Sequence, residues 1–270
     1  MSQTDISIVI PTFNSSRTIS QCLDSIHAQT VECKELFVVD RYSTDGTSEI
    51  ALEGDATLIQ NKGNRSVARN IGLSRSTSSG VLFIDSDMIL PRMLVEECLE
   101  GLECHAALVI PEGSIGSGFW AQCKKFERET YSGDKLVEAA RCFSREFILS
   151  IGGYDSKLEA GEDWDLQTRA VAHRGLIGRV RSTLIHDEGR LTLANCMRKK
   201  FFYGRAMNPY LTAYPHSIAD QLNPMSRVLN ATAGVLRRHP RYAGGVLLLK
   251  SVEFTSAGLG HIASKLDRSC

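Results

Sequence analysis

The chain has 270 residues, 43% hydrophobic and 23% charged, with 31 basic and 31 acidic side chains and a formal net charge of zero. Such a length accommodates one large domain, or one domain with an appendage, and a sizeable core. The charge balance excludes a protein that binds polyanions through its overall charge, and no uninterrupted apolar run is long enough to cross a bilayer.

The first hundred residues alternate β-rich runs with helical patterns. Strands are predicted over 6–10, 36–40, 57–60, 81–85 and 106–110, and helices over 18–29, 47–52, 66–74 and 91–102. Ile19, Cys22, Leu23 and Ile26 share one helical face, and Pro91 suits a first helical turn, where its missing N–H costs nothing. This alternation predicts an α/β fold, a Rossmann-like and mostly parallel sheet covered by helices. Beyond residue 107 the rhythm changes. Glycines cluster at 113, 116 and 118; helices are predicted over 119–131, 145–151 and 162–174, and strands over 139–144, 176–180 and 183–186. After Gly189 the pattern becomes helical and basic, over 191–211, 226–238 and 243–263. Twelve basic and three acidic residues from Arg190 onward give that part a net +9. The expected division is a catalytic α/β domain over 1–189 and a basic helical C-terminal extension over 190–270. The eight cysteines show no Cys-x-x-Cys and no zinc spacing, so they read as small buried hydrophobes of a reducing compartment. With no signal-peptide pattern before the first strand, the expected location is cytoplasmic.

Polar residues gather where the strands end. Pro11-Thr12-Phe13-Asn14 follows the first strand, Asp40 ends the second, and Asp85-Ser86-Asp87 ends the fourth. Parallel sheets place ligand sites at that edge. Two hard oxygen ligands there suit Mg2+ or Mn2+, and such an ion suits a diphosphate; Asp-x-Asp alone is equally a polar turn. Gly161-Glu162-Asp163-Trp164 opens a later helix, where acids complement the helix dipole.

Five segments in order, Ile10-Pro11-Thr12-Phe13-Asn14, Val38-Val39-Asp40 with Ser43-Thr44-Asp45-Gly46-Thr47, Ala68-Arg69-Asn70, Asp85-Ser86-Asp87 and Gly161-Glu162-Asp163, resemble family 2 of the glycosyltransferases. The resemblance covers roughly residues 7–186 and implies the nucleotide-sugar-binding GT-A fold. It implies transfer of a sugar from a nucleoside-diphosphate sugar to an acceptor hydroxyl, dependent on Mn2+ or Mg2+ and inverting at the anomeric carbon. Pro11 and Thr12 would meet the nucleoside. Asp40, an acceptor-only carboxylate, would take a base N–H, and Arg69 would lie near the base or the diphosphate. Asp87 would ligate the metal, Asp85 would reach the ribose or the metal through water, and His186 would be a third ligand. Asp163, with Glu162 beside it, would act as general base. Each position also has a plain structural reading: a strand-end turn for Thr12, a loop cap for Asp40, a surface arginine for Arg69, a solvated histidine for His186, helix-dipole partners for Glu162 and Asp163. Arg41-Tyr42 departs from the family's usual Asp or Asn followed by Gly, so uridine and guanosine both stay open as the base.

The rival readings are a sugar nucleotidyltransferase, against which the first loop lacks a glycine-rich, basic phosphate segment, and a non-catalytic sugar-nucleotide-binding protein. The expected acceptor is lipid-linked or a saccharide, in cell-envelope polysaccharide, glycolipid or glycoprotein synthesis. Residues 197–205 mix cations with aromatic rings, a mixture that suits peripheral contact with an anionic membrane face. No nucleic-acid-binding motif accompanies it.

Overall fold

The computed structural model describes residues 5–135, 137–215 and 223–267. The chain divides into two compact units, each discontinuous in sequence. Unit 1 comprises Met1–Glu112, Ala139–Ser156 and Glu162–His186; unit 2 comprises Gly113–Glu138, Lys157–Gly161 and Asp187–Cys270.

Unit 1 holds β1 (Ile6–Thr12), α1 (Ile19–His27), β2 (Glu35–Asp40), α2 (Thr47–Glu53), β3 (Thr57–Gln60), α3 (Arg65–Arg75), β4 (Gly80–Phe83), β5 (Met88–Ile89), α4 (Leu94–Leu102) and β6 (Ala107–Val109). β7 (Glu112–Ser117) begins in this unit, α5 (Phe119–Glu129) belongs to unit 2, and β8 (Ala140–Ser144), α6 (Arg145–Ser150), α7 (Glu162–Ala172), β9 (Ile177–Arg179) and the start of β10 (Leu184–Arg190) return to unit 1. The seven-stranded sheet has the order β3-β2-β1-β4-β8-β6-β9. β1, β2, β3 and β4 are mutually parallel, whereas β8 runs antiparallel to both β4 and β6.

Period-two alternation builds a core on each face of this sheet. Ile6, Ile8 and Ile10 of β1, with Leu36, Val38 and Leu82, pack on one side against Ile19, Cys22, Leu23 and Ile26 of α1 and Leu94 and Cys98 of α4. Val9, Phe37, Val39, Val81 and Phe83 face the other way, onto Ala68 and Leu73 of α3, Ile148 of α6 and Leu166 and Ala170 of α7. Gly72 sets the distance between α3 and β1, because a Cβ there would overlap the Val9 side chain. Arg69 lies three residues earlier on the same helical face, so this close approach delivers it to the sheet's carboxyl edge.

Unit 2 contains α5, α8 (Leu193–Ala206), α9 (Asn208–Ala213), α10 (Pro224–Arg238) and α11 (Pro240–Leu266). Its apolar core gathers Cys123, Cys196, Ala231, Val235, Val246 and Leu249, with Trp120, Phe126, Tyr131 and Tyr242 against it. α8 and α11 touch backbone to backbone: a Cβ on Gly204 would overlap the Ala257 carbonyl, and one on Gly260 the Phe201 carbonyl. The helix expected over 191–211 is interrupted at Met207, before Pro209. Among the described residues no helix is long and apolar enough to cross a membrane. The described cysteines are all free thiols, five of them buried.

Candidate active site

The sheet's carboxyl edge is assembled from three loops. β1 and β2 end side by side, with Thr12 opposite Asp40, and the Arg41 amide donates to the Thr12 carbonyl at 2.9 Å. Asn14 and Tyr42 take left-handed backbone, φ 48° and 52°. The Asn14 side chain accepts from the Thr44 amide, and its own amide donates to the Ser43 hydroxyl, stitching the loops together. Asp45 receives the Thr47 hydroxyl and the Ser16 amide, which hold its carboxyl down to about 2.

Asp40 is fully buried and satisfied from within the chain. Oδ1 accepts from Thr12 Oγ1 at 2.9 Å and Ser43 Oγ at 2.5 Å; Oδ2 accepts from the Ser43 amide at 2.8 Å and Ser48 Oγ at 3.1 Å. Burial works against ionisation, but these donors prevail and hold the carboxyl below its usual range. Four donors fill the four lone-pair positions of a carboxylate. Pro11 and the buried Thr12 thus sit directly at this knot, and a base N–H reaching Asp40 would replace one of the hydroxyls.

The ionic centre lies one strand further along. The Ile84 amide makes the last sheet bond, to Val9, and Asp85 follows it. Asp85 Oδ1 accepts from Arg69 Nη2 at 2.8 Å, and Oδ2 faces Arg141 Nη1 at 3.5 Å. Burial alone would raise the Asp85 carboxyl, but Arg69 and Arg141 hold it far below the carboxylate range. Arg69 is completely buried. Its Nη1 donates to Asp163 Oδ1 at 2.8 Å and lies 3.4 Å from Glu162 Oε1, and its guanidinium stands 4.9 Å from the Tyr154 ring centroid. Tyr154 is held there by Asn70, whose side chain bonds both the Tyr154 amide and its carbonyl. Asn70 therefore ties α3 to the segment that carries Tyr154.

Glu162 and Asp163 open α7 but differ in setting. Glu162 is buried, and Arg65 Nη2 reaches its Oε1 at 2.7 Å; burial and the adjacent Asp163 nevertheless raise its carboxyl. Asp163 keeps 28% of its side chain exposed, with Oδ1 fixed by Arg69. Of the pair, Asp163 is the one open to a ligand.

Asp87 lies beyond the turn and His186 on β10, whose antiparallel pairing sets His186 opposite Met88. His186 Nδ1 is 3.4 Å from Asp87 Oδ1, and Nε2 is 3.0 Å from Glu112 Oε2. Glu112 also accepts from Arg141 Nε at 2.6 Å. A tautomer donating from Nε2 to Glu112 leaves the Nδ1 lone pair toward Asp87, the carboxylate–histidine arrangement that orients metal-binding imidazoles. Among the described residues no group of three or more His, Cys, Asp or Glu forms a cation cage. Asp87 and His186 are a fitting pair for Mn2+ or Mg2+ only if a substrate's oxygens complete the shell, which is the habit of Mg2+ at phosphates.

Sequence reasoning missed Arg141, Glu112, Arg65 and Tyr154. A signal existed for Arg141, a lone cation in the otherwise apolar run Ala140–Phe143, where a buried charge requires a partner. No local pattern marked Glu112.

The molecule is an α/β protein whose mostly parallel sheet carries paired carboxylates and guanidiniums at one edge. Residues 7–151 match the family model for glycosyl transferase family 2, so the chain belongs to that family, and its fold is the GT-A fold. Glycosyltransferase GlyG of Streptococcus pneumoniae is 32% identical over 115 residues, 39% of this chain and 37% of GlyG. The pre-mycofactocin glycosyltransferase of Mycobacterium tuberculosis is 25% identical over 285 residues, 97% of this chain and 55% of that protein. Among solved structures, the mannosyltransferase PcManGT from Pyrobaculum calidifontis, in complex with GDP-Man and Mn2+, superposes with a TM-score of 0.62 at 17% identity, over 98% of this chain and 89% of that one. The chain spans between 14% and 61% of the length of the curated relatives.

Proposed function

We propose that this chain is an inverting glycosyltransferase that moves a hexose from a nucleoside-diphosphate sugar to an acceptor hydroxyl. The observation that carries the reading is the single buried guanidinium of Arg69, which clasps Asp85 from the strand edge and Asp163 from the start of α7. It holds a donor-side carboxylate and a candidate base in one rigid frame, as a near-attack geometry requires. Asp163 Oδ2, opposite the oxygen fixed by Arg69, takes the acceptor's proton as that hydroxyl oxygen bonds to the anomeric carbon. The bond from that carbon to the diphosphate oxygen breaks, its electron pair leaving with the nucleoside diphosphate. One displacement inverts the centre.

Asp87 and His186 would hold a divalent metal, with Asp85 reaching it through water and Glu112 orienting the imidazole. Such an ion supplies neutralisation of diphosphate charge. Thr12, Pro11 and Asp40 line the nucleoside end, and Arg69 acts through the carboxylates it binds. GDP-Man and Mn2+ in PcManGT support a nucleotide-sugar donor and a metal here. These groups all fall within residues 1–189, the catalytic part, with 190–270 as its helical extension. The acceptor in this reading is a lipid-linked or saccharide hydroxyl of cell-envelope assembly.

The test is nucleoside-diphosphate release from a set of uridine and guanosine diphosphate sugars, with Mn2+, Mg2+ or chelator, beside thermal melts with the same ligands. One donor should raise the melting temperature by mass action and release its diphosphate only with metal, giving a product of opposite anomeric configuration. Pyrophosphate release from a nucleoside triphosphate would overturn the reading in favour of nucleotidyl transfer.

A further inference from the structure

α11 is apolar on both sides. Its buried face carries Ala243, Val246 and Leu249 together with Lys250, Glu253, Ser256 and Ser264, and its exposed face carries Leu247, Leu248, Leu259, Ile262 and Leu266. Helical spacing places those five apolar residues within one stripe, interrupted by small residues Gly244, Ser251, Thr255 and Gly258 and flanked by exposed Arg241 and Lys265. The inward charges are matched: Lys250 lies 2.9 Å from Glu127 and 3.0 Å from Glu253, and Lys124 of α5 lies 2.7 Å from Glu127 and 3.0 Å from Glu253. Burying charged groups is costly even when they are paired. The inward side of α11 is thus satisfied by its own core and ion pairs, and the outward leucines and isoleucine are left exposed to the surroundings.

The neighbouring surface of unit 2 is continuous with this stripe. A cleft of about 380 Å³ is lined by Met197, Arg198 and Phe201 of α8 with Ser256 and Leu259 of α11. A second, of about 320 Å³, is lined by Phe202, Arg205 and Ala206 with Ser264, Asp267 and Glu159. The first sets Arg198 beside an apolar wall, whereas in the second Arg205 stands with the carboxylates Glu159 and Asp267. From Arg190 onward, Asp267 is the one exposed acid among the described residues, and Arg205 pairs with it at 2.6 Å. Arg198, Lys199, Arg237, Arg238, Arg241 and Lys265 are all exposed.

We infer that the outer stripe of α11, with the adjoining cleft at Arg198, docks on an anionic lipid surface, the leucines and isoleucine entering the acyl boundary and the exposed cations meeting headgroup phosphates. An interfacial helix buries its apolar face to about the depth of the headgroup boundary and gains from each cation near it. Charge selects this occupant over a second copy, which would oppose a surface of the same sign.

Lys200 lies outside this surface, although the basic run 198–200 suggests otherwise. Glu253 beside it favours the charged form, but burial and the nearby Lys124 and Lys250 win and push it down to about 8. Altering Lys200 would disturb the buried cluster, so the docking variants leave it intact.

Sedimentation with phosphatidylcholine vesicles and with phosphatidylglycerol-containing vesicles, at low and high salt, tests the inference. Wild type should pellet with the anionic vesicles at low salt and be released by high salt, since surface charges are screened beyond about 8 Å at physiological ionic strength and over shorter distances at higher salt. Arg198→Ala/Lys199→Ala should lower the partition constant about fivefold per cation. Leu259→Ser/Ile262→Ser, and separately Leu247→Ser/Leu248→Ser, should lower it at least tenfold with unchanged melting temperature. Absence of binding to anionic vesicles overturns the inference. So does binding that both apolar variants leave intact, or light scattering that shows a dimer dissolved by Leu259→Ser/Ile262→Ser. Sedimentation uses no sugar donor, so its outcome is separate from that of diphosphate release.

Discussion

Arg69→Met would remove the one guanidinium shared by Asp85, Glu162 and Asp163 while roughly keeping side-chain bulk. Breaking a buried ion pair costs on the order of 3–5 kcal/mol, because the abandoned charge is left without compensation. Here two of the three carboxylates keep another partner: Glu162 keeps Arg65 at 2.7 Å and Asp85 keeps Arg141 at 3.5 Å. Asp85 and Asp163 are also 18% and 28% exposed, so water replaces part of what is lost. The expected loss is therefore at the lower end, about 3 kcal/mol, or roughly 6–12 °C of melting temperature at about 2–4 °C per kcal/mol. The two tryptophans fall one in each unit, so Trp164 fluorescence in a Trp120→Phe background reads unit 1 alone. The loss should depend on pH. Asp85 has a folded-state carboxyl depressed below its unfolded value, so the stability it contributes is present above the ordinary aspartate value near 4 and disappears as pH falls below it. The gap between wild type and variant should narrow in that acid range. A cost below about 1 kcal/mol, or a gap that is the same at neutral and strongly acid pH, would refute the account of Arg69 as a buried electrostatic clasp.

Asp163→Asn should leave donor binding intact, measured by the ligand-induced thermal shift, while transfer falls by about 100-fold or more; near-normal transfer would move the base elsewhere. Asp87→Ala should abolish the metal-dependent part of nucleoside-diphosphate binding by titration calorimetry. Glu112→Gln should weaken the apparent metal affinity about 10–100-fold through loss of imidazole orientation, and an unchanged metal dependence would remove Glu112 from that role. Gly204→Ala should destabilise unit 2 by about 1–3 kcal/mol or more, read from Trp120 fluorescence, because the added methyl meets the fixed backbone of Ala257 rather than a side chain that can move.

Much of the α/β unit was legible because strand and helix periods are written locally. The run at 57–60 forms β3 with those same limits, and the Ile19, Cys22, Leu23, Ile26 face buries as its spacing implies. The direction of a strand is not written locally, and β8, antiparallel between β4 and β6, follows from nothing in the sequence Ala140–Ser144. Its reversal brings Arg141 beside Asp85 and Glu112, and so the second guanidinium escaped notice. Asp40 stood out by position, but its four internal donors come from Thr12, Ser43 and Ser48, whose convergence depends on the loop geometry. The apolar run Val246–Leu249 is followed by Lys250 and Glu253. That the charges turn inward could not be read from α11 alone, since their partners lie on α5, more than a hundred residues earlier.

That separation along the chain carries a consequence for biogenesis. At translation speeds of about 5–20 residues per second, α5 leaves the ribosome roughly 5–25 s before the segment that neutralises it. During that interval Lys124 and Glu127 have only each other, three residues apart on a helix of 11 residues, too short to persist alone in water. Unit 2 therefore cannot mature vectorially and must wait until α11 has emerged. A nascent chain arrested shortly after Gly189 should present α5 as a protease-sensitive segment and a target for chaperones, while the parallel strands β1 to β4 are already joined.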